Sequence, residues 1–269
     1  MEYYSYTKEE LLAKTKIPLT IFKDDAAAFS ALAMDMTAEI EKNNAAGKHT
    51  VFIVPVGPTG QYPFFVDYVN KNKLSLAKVW FISMDELLDE NLEYIDMSHK
   101  ISFRGFMQRV VYDKIDPALI MPESQRVFPD PKNPGGIQKL IDELGGVDVA
   151  YGGVGINGHV AFNEPEPELS VKGFESLVTR VIPLYRESLA LNAIFYLNGA
   201  MDLMPTRCIT IGMKEILCAR KIRFACFRDF HKAALRRTCC GEPSASFPGT
   251  LMQRHKDIHI FVSEFVAGN

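Results

Sequence analysis

Six short, almost uninterrupted apolar runs constrain this chain more than any other feature. They are VFIVPV (51–56), VWFI (79–82), VDVAYGG (147–153), RCITIG (207–212), RFACF (223–227) and IHIFV (258–262). Runs of four to seven residues rich in Val, Ile and Phe are too short for buried helices. They suit strands covered on both faces, as in a parallel sheet. Between them lie helix-like patterns. Asp24 or Asp25 stands where an N-cap belongs before AAAFSALAMDMTAEIEKNN, whose apolar residues recur at three- and four-residue spacing. Further helices are expected over 102–115, 134–144, 186–196 and 229–240. Strands alternating with helices imply an open, mostly parallel α/β sheet with helices on both faces.

The 269 residues suffice for one large α/β domain or two small ones. The clearest turn-rich break, PDPKNPGG (129–136), is too short for a domain linker, so a single domain over 1–269 is expected. Residues 1–20 form an N-terminal extension with an extra helix at KEELLAKTK. A net charge of −3 offers no general attraction to nucleic acid or membrane. No stretch reaches the ~18 apolar residues of a membrane span. The acidic, aromatic opening MEYYSYTKEELL is unlike a secretory signal. Five scattered cysteines, two of them adjacent, argue for reduced thiols and a cytoplasmic protein.

Open α/β sheets bind ligands beyond the carboxyl ends of their strands. The segments there are GPTGQ, SMDELLDE, GGVGINGH, MKE and RDFHK. In GPTGQ, glycines let backbone N–H groups approach an anion and Thr59 adds a hydroxyl, while Pro58 removes one donor. The bland alternative is a strand-to-helix turn. Asp85 is a candidate general base, or else the cap of a helix at ELLDE, with Glu86 its competitor. His159 and Glu164 suit a base and its orienting carboxylate, or a structural histidine. Lys232 and Arg228 suit a phosphate partner or a solvated helix face. The histidines lack metal-site spacing, so no metal is expected. No GxSxG elbow is present.

Together these motifs resemble the glucosamine-6-phosphate deaminases (isomerases), relatives of the 6-phosphogluconolactonases. The resemblance runs from about Pro18 to Glu264. It rests on VPVGPTG, ISMDELL, SFRGFMQR, GGVDVAYGGVGINGHVAFNEP, TRVIPL and HKAAL. The run FNEP points to the deaminase branch. The resemblance implies a doubly wound sheet, a small sugar-phosphate substrate and no cofactor. It implies that Asp85 moves a proton between C1 and C2, and that His159, with Glu164 as partner, helps open the sugar ring. Gly57, Pro58, Thr59 and Gly60 of the glycine loop and Lys232 then form the phosphate set. Relatives of this kind are often oligomers, and nothing in the chain forbids a homo-oligomer.

Three departures fall on this set. Asn157 stands where the deaminases carry an aspartate, turning a charge-assisted hydrogen bond into a neutral one roughly half as strong. The glycine loop reads V-G-P-T-G instead of T-G-G-T-P. The arginine expected in the helix after TRVIPL is Ile194, leaving Lys232 with Arg186, Arg207 or Arg228 as substitutes. The leading expectation is therefore an aminosugar-phosphate deaminase/isomerase acting on a glucosamine 6-phosphate-like substrate. The alternatives are a lactonase-like hydrolase or an isomerase of a related sugar phosphate, and a non-catalytic sugar-phosphate sensor. The loop 240–250, rich in proline and glycine, reads as a surface connection or a lid.

Overall fold

A computed structural model describes residues 1–268. Ten strands form two sheets: β1 (Leu19–Phe22), β2 (Thr50–Val54), β3 (Val79–Ser83), β4 (Asp85–Leu88), β5 (Arg126–Val127), β6 (Val149–Gly152), β7 (Arg180–Pro183), β8 (Arg207–Thr210), β9 (Lys221–Cys226) and β10 (Ile258–Ser263). Ten α-helices accompany them: α1 (Lys8–Lys14), α2 (Asp25–Ala45), α3 (Gln61–Asn72), α4 (Phe103–Val110), α5 (Gly136–Glu143), α6 (Val171–Glu175), α7 (Arg186–Tyr196), α8 (Met213–Leu217), α9 (His231–Cys240) and α10 (Glu264–Ala267). Among them no helix is long and apolar enough to cross a membrane.

The main sheet has seven strands in the order β1-β10-β9-β6-β2-β3-β5, all parallel. It is open, doubly wound and α/β. Alternation along each strand divides the core into two layers. Val51 and Ile53 of β2 face one layer, with Ile137 and Ile141 of α5 and Leu235 of α9. Phe52 and Val54 face the other, with Leu32 and Met36 of α2 and Phe65 of α3. Chain order reverses between β2 and β6, so the segments leaving these two strands diverge and open a crevice.

The second sheet is antiparallel, in the order β4-β8-β7. It corrects two expectations. The 207–212 run is not a member of the parallel sheet; β8 pairs with β4 and β7. ELLDE is not a helix capped by Asp85; Asp85 opens β4 opposite Thr210. Only Met84 separates β3 from β4. Its amide donates to the Val54 carbonyl at 2.9 Å, and its own carbonyl accepts from Ile211 at 2.7 Å. Asp85 is thus held on rigid strand backbone rather than on a loop.

Residues 1–22 are integral to the fold. A capping box between Thr7 and Glu10 starts α1, and Leu11 and Ile17 enter the core. The Lys14 ammonium sits 4.0 Å from the Tyr6 ring centroid. Arg236 of α9, wholly buried, donates to the carbonyls of Tyr6, Lys232, Val266, Ala267 and Gly268 at 2.8–3.4 Å. The 240–250 segment is likewise not a lid. Ala245, Phe247 and Thr250 are buried, and the Gly249 amide donates to the Gly158 carbonyl at 2.7 Å.

Candidate active site

A cleft of about 800 Å³, including its open mouth, lies over the crevice between β2 and β6. Gly57 and Pro58 line it from the loop after β2, Asp85 from β4, and Gly153, Val154, Gly155 and His159 from the loop after β6. Helix α7 contributes Ser188, Asn192 and Phe195, the loop after β9 contributes Arg228, and α9 contributes its first residue, His231. The MKE segment after β8 stays out of it; Met213 and Glu215 are buried elsewhere.

Asp85 is 6% exposed. Burial pushes its carboxyl well above the usual carboxylate range, and the neighbouring Glu86 charge adds to the effect. Glu86, the sequence competitor, is consumed elsewhere. It accepts hydrogen bonds from Leu87 N, Ser102 Oγ, Phe103 N and Arg104 N at 2.7–3.1 Å. It therefore closes the N-terminus of α4. Thr210 fastens the neighbouring loop from the other side of β4, because its hydroxyl accepts from Phe162 N at 3.0 Å.

The loop Gly155–Glu164 is folded back on itself. Gly158 N donates to Gly155 O at 2.9 Å, closing a tight turn. Gly158 has φ +88°, and a Cβ there would lie 2.4 Å from the Phe247 ring. A Cβ on Gly155 would fall 2.1 Å from the His159 imidazole. Both glycines are therefore required for the histidine to lie where it does. Asn163 anchors the far end. Its Nδ2 donates to Val160 O and Ile211 O, each at 2.9 Å, and its Oδ1 accepts from Arg180 at 2.7 Å.

Within this frame Asn157 stands between His159 and Glu164. Its Nδ2 donates to Glu164 Oε2 at 2.7 Å, and its Oδ1 lies 2.8 Å from His159 Nδ1. Direct His159–Glu164 approach is longer, at 3.5 Å. A carboxylate only accepts, so the Asn157 amide must turn its NH₂ to Glu164 and its oxygen to the histidine. His159 Nδ1 then carries the proton, and Nε2 presents a lone pair toward the cleft. Burial alone would raise the Glu164 pKa. Hydrogen bonds from His159, Ser188 and Asn157, with the His159 charge, outweigh it and hold the carboxyl below its ordinary value.

Two lining side chains, Ser188 and His231, were not given a role by the sequence, and a third, Arg228, was named there only beside Lys232. Ser188 is buried, with its hydroxyl 3.3 Å from His159 Nδ1. His231 accepts from Phe227 N and Arg228 N, each at 2.8 Å, and Nε2 faces Val154 O at 3.1 Å. Burial, with the Arg228 charge, lowers its pKa to about 3, so it is a neutral brace between the β9 and β6 loops. Arg228 itself projects among aromatic rings. Only the geometry of α7 and the β9 loop brings these groups to the cleft.

Part of the expected phosphate set is not brought here. Gly57 and Pro58 reach the cleft, but Thr59 and Gly60 do not line it. The Thr59 carbonyl accepts from Tyr62 N as α3 begins, and Gly60 packs under Phe29. Lys232 points away: its Nζ is 3.8 Å from Asp229 and 4.4 Å from the Phe265 ring centroid. Ile194 is 59% exposed on the outer side of α7, and Arg186 and Arg207 are exposed at the surface.

No protein-family model matches the chain. The glucosamine-6-phosphate deaminase of Caenorhabditis elegans is 29% identical over 201 residues, covering 74% of this chain and 71% of that protein. That of Mycoplasma mycoides subsp. mycoides is 27% identical over 213 residues, covering 78% and 80%. Among solved structures, a monomeric glucosamine-6-phosphate deaminase is similar with a TM-score of 0.81 at 20% identity, over 93% of this chain and 99% of that one. The 6-phosphogluconolactonase of Trypanosoma brucei has a TM-score of 0.66 at 13% identity, over 94% and 98%. The structural likenesses carry the fold, and the sequence likenesses make this chain a divergent homologue of the deaminases.

Proposed function

We propose that this divergent homologue of the glucosamine-6-phosphate deaminases is an enzyme that converts an aminosugar phosphate and water to a ketose phosphate and ammonia. The observation that carries the reading is the pairing of two different proton carriers in one cleft. Asp85 offers a buried carboxyl with a raised pKa, and His159 offers an open Nε2.

Ring opening falls to His159. Its Nε2 takes the proton of the anomeric hydroxyl and returns it to the ring oxygen, releasing the aldehyde. The transient imidazolium is stabilised through Asn157 by the Glu164 carboxylate. Ionised Asp85 then removes the C2 proton of the open chain and delivers it to C1, while one proton of the amino group passes to O1. The 2-amino aldose thereby becomes the C2 imine of the ketose, with a hydroxymethyl group at C1. Water adds to that C=N carbon, the C–N bond breaks, and ammonia leaves. An amide in the middle of the relay carries no proton; it only fixes the tautomer and transmits the carboxylate's field.

Ammonia release from a panel of hexosamine 6-phosphates, including the glucosamine and galactosamine forms, tests the reading. Robust release from one member supports it. Absence of release from every member, with a folded preparation, overturns it. The open Nε2 of His159 could also activate water against a lactone without using Asp85. Lactone hydrolysis, with no solvent deuterium entering C1 or C2, would identify that second reading.

Asn157 gives a separate expectation. Removing its side chain in Asn157→Ala takes away the 2.8 Å partner of His159 Nδ1 and leaves only the longer approaches of Ser188, at 3.3 Å, and Glu164, at 3.5 Å. Turnover is expected to fall about 10- to 100-fold, the usual cost of losing an orienting partner. Asn157→Asp would instead set two carboxyls at the 2.7 Å contact with Glu164, where both cannot ionise. Its pH–rate profile should therefore gain a new ionisation. An unchanged profile would show that residue 157 does not couple to Glu164.

A further inference from the structure

Among the described residues, Arg228 is the only side chain lining the cleft with a fixed positive charge. Among the described residues no carboxylate pairs with it, whereas Arg180, Arg220, Arg223 and Arg254 all have one. Its guanidinium carbon lies 3.5 Å from the Phe195 ring centroid and 5.3 Å from that of Phe227. The Tyr196 hydroxyl is its polar neighbour. A partly buried guanidinium without an anion is costly unless an anion is brought to it. Here it is held ready by stacking, which leaves the edge of the planar fork available.

Its backbone is fixed as well. The Arg228 amide donates to His231 Nδ1, and His231 is locked to Val154. Asp85 leaves the sheet beside β3, whereas Arg228 leaves β9. In the sheet order β9-β6-β2-β3 these ends are three strand spacings apart, roughly 14 Å. The negative group of a ligand at Arg228 is thus kept away from the Asp85 carboxyl. Phe195 also belongs to α7, the helix whose Ser188 touches His159, so one helix contacts both the cation and the proton carrier.

We infer that Arg228 is the residue that binds the terminal phosphate of the substrate, in place of the Lys232 and residue-194 pair expected from the deaminases. The inference rests on the sugar-phosphate reading above. The phosphate oxygens take the two N–H groups of the guanidinium edge, and the sugar chain runs from there across the crevice to His159 and Asp85.

The test separates binding from turnover. Calorimetric titration with an open-chain sugar-alcohol 6-phosphate, and with the same alcohol lacking phosphate, is made on wild type, Arg228→Met, Arg228→Lys and Lys232→Ala. Wild type is expected to prefer the phosphate ester on the order of 100-fold, and Arg228→Met to abolish that preference. Arg228→Lys should recover part of it, because a point charge replaces a fork. The proposal is overturned if Arg228→Met keeps the preference, if Lys232→Ala loses it instead, or if wild type shows none. Phosphate-selective binding without ammonia release from any aminosugar phosphate would leave Arg228 assigned and overturn the deaminase reading alone.

Discussion

Asp85→Asn is expected to reduce turnover of the true substrate by about 10²–10⁴-fold while leaving substrate binding close to wild type. The amide fills the same space but cannot accept the C2 proton. The same substitution is expected to raise the melting temperature at neutral pH. Burial raises the Asp85 pKa well above its unfolded value, so the folded protein binds the proton more tightly than the unfolded chain. Between the ordinary carboxylate pKa and the raised one, the native state holds more protons, and stability falls as pH rises. Asparagine removes that slope. The wild-type kcat/KM should fall as pH falls through the raised pKa, because only the ionised carboxylate is a base. Glu164 is held below its ordinary value and does not set this limb. A variant that turns over normally, or a stability profile that Asp85→Asn leaves unchanged, would remove Asp85 from the mechanism.

The second large effect is structural. Among the described residues Arg236 has no carboxylate partner; its donors go to carbonyls from residues 6, 232, 266, 267 and 268. Burial lowers its pKa, as it must for a cation among neutral dipoles. Arg236→Met keeps most of the stem and takes the side-chain donors from the carbonyls of Tyr6, Val266, Ala267 and Gly268, while Lys232 O keeps its helical bond. The expected cost is on the order of 3–5 kcal/mol, comparable to removing one partner of a buried charged contact. For a domain of this size that corresponds to roughly 6–20 °C in Tm. Arg236→Lys should rescue little, since three donors on one nitrogen cannot span five carbonyls on both sides. Thermal unfolding followed by circular dichroism measures both. A shift of only a degree or so in Arg236→Met would mean that the segments at residues 6 and 266–268 dock independently of this guanidinium.

The sequence made the parallel sheet visible because its strands are buried on both faces and leave continuous apolar runs. Strands without that signature were not legible. β4 begins with Asp-Glu and resembles a helix start, β7 ends in proline, and β5 is two residues long. RCITIG announced a buried strand, but nothing in it names an antiparallel partner. At the site, Asp85, His159 and Glu164 were legible because strand ends and glycines frame them. Arg228 was named only beside Lys232, and the choice between them depends on helical phase. Successive residues at the start of α9 differ by about 100° around the axis. His231 therefore turns inward and Lys232 turns toward Phe265. Ser188 is hidden for a related reason: its role depends on how α7 lies against the β6 loop.

The edge of the main sheet has a consequence for how the chain is made. β1 pairs only with β10, Leu19 opposite Ile260 and Phe22 opposite Ser263. While a nascent chain lengthens, β2, β3 and β6 can come together as soon as they exist, but residues 19–22 have nowhere to go. They stay unpaired until residues 258–263 have been synthesised, so an apolar strand edge is exposed throughout. Chains stalled or cleaved before residue 258 would therefore lose two strands at once and carry the first of them as a sticky end.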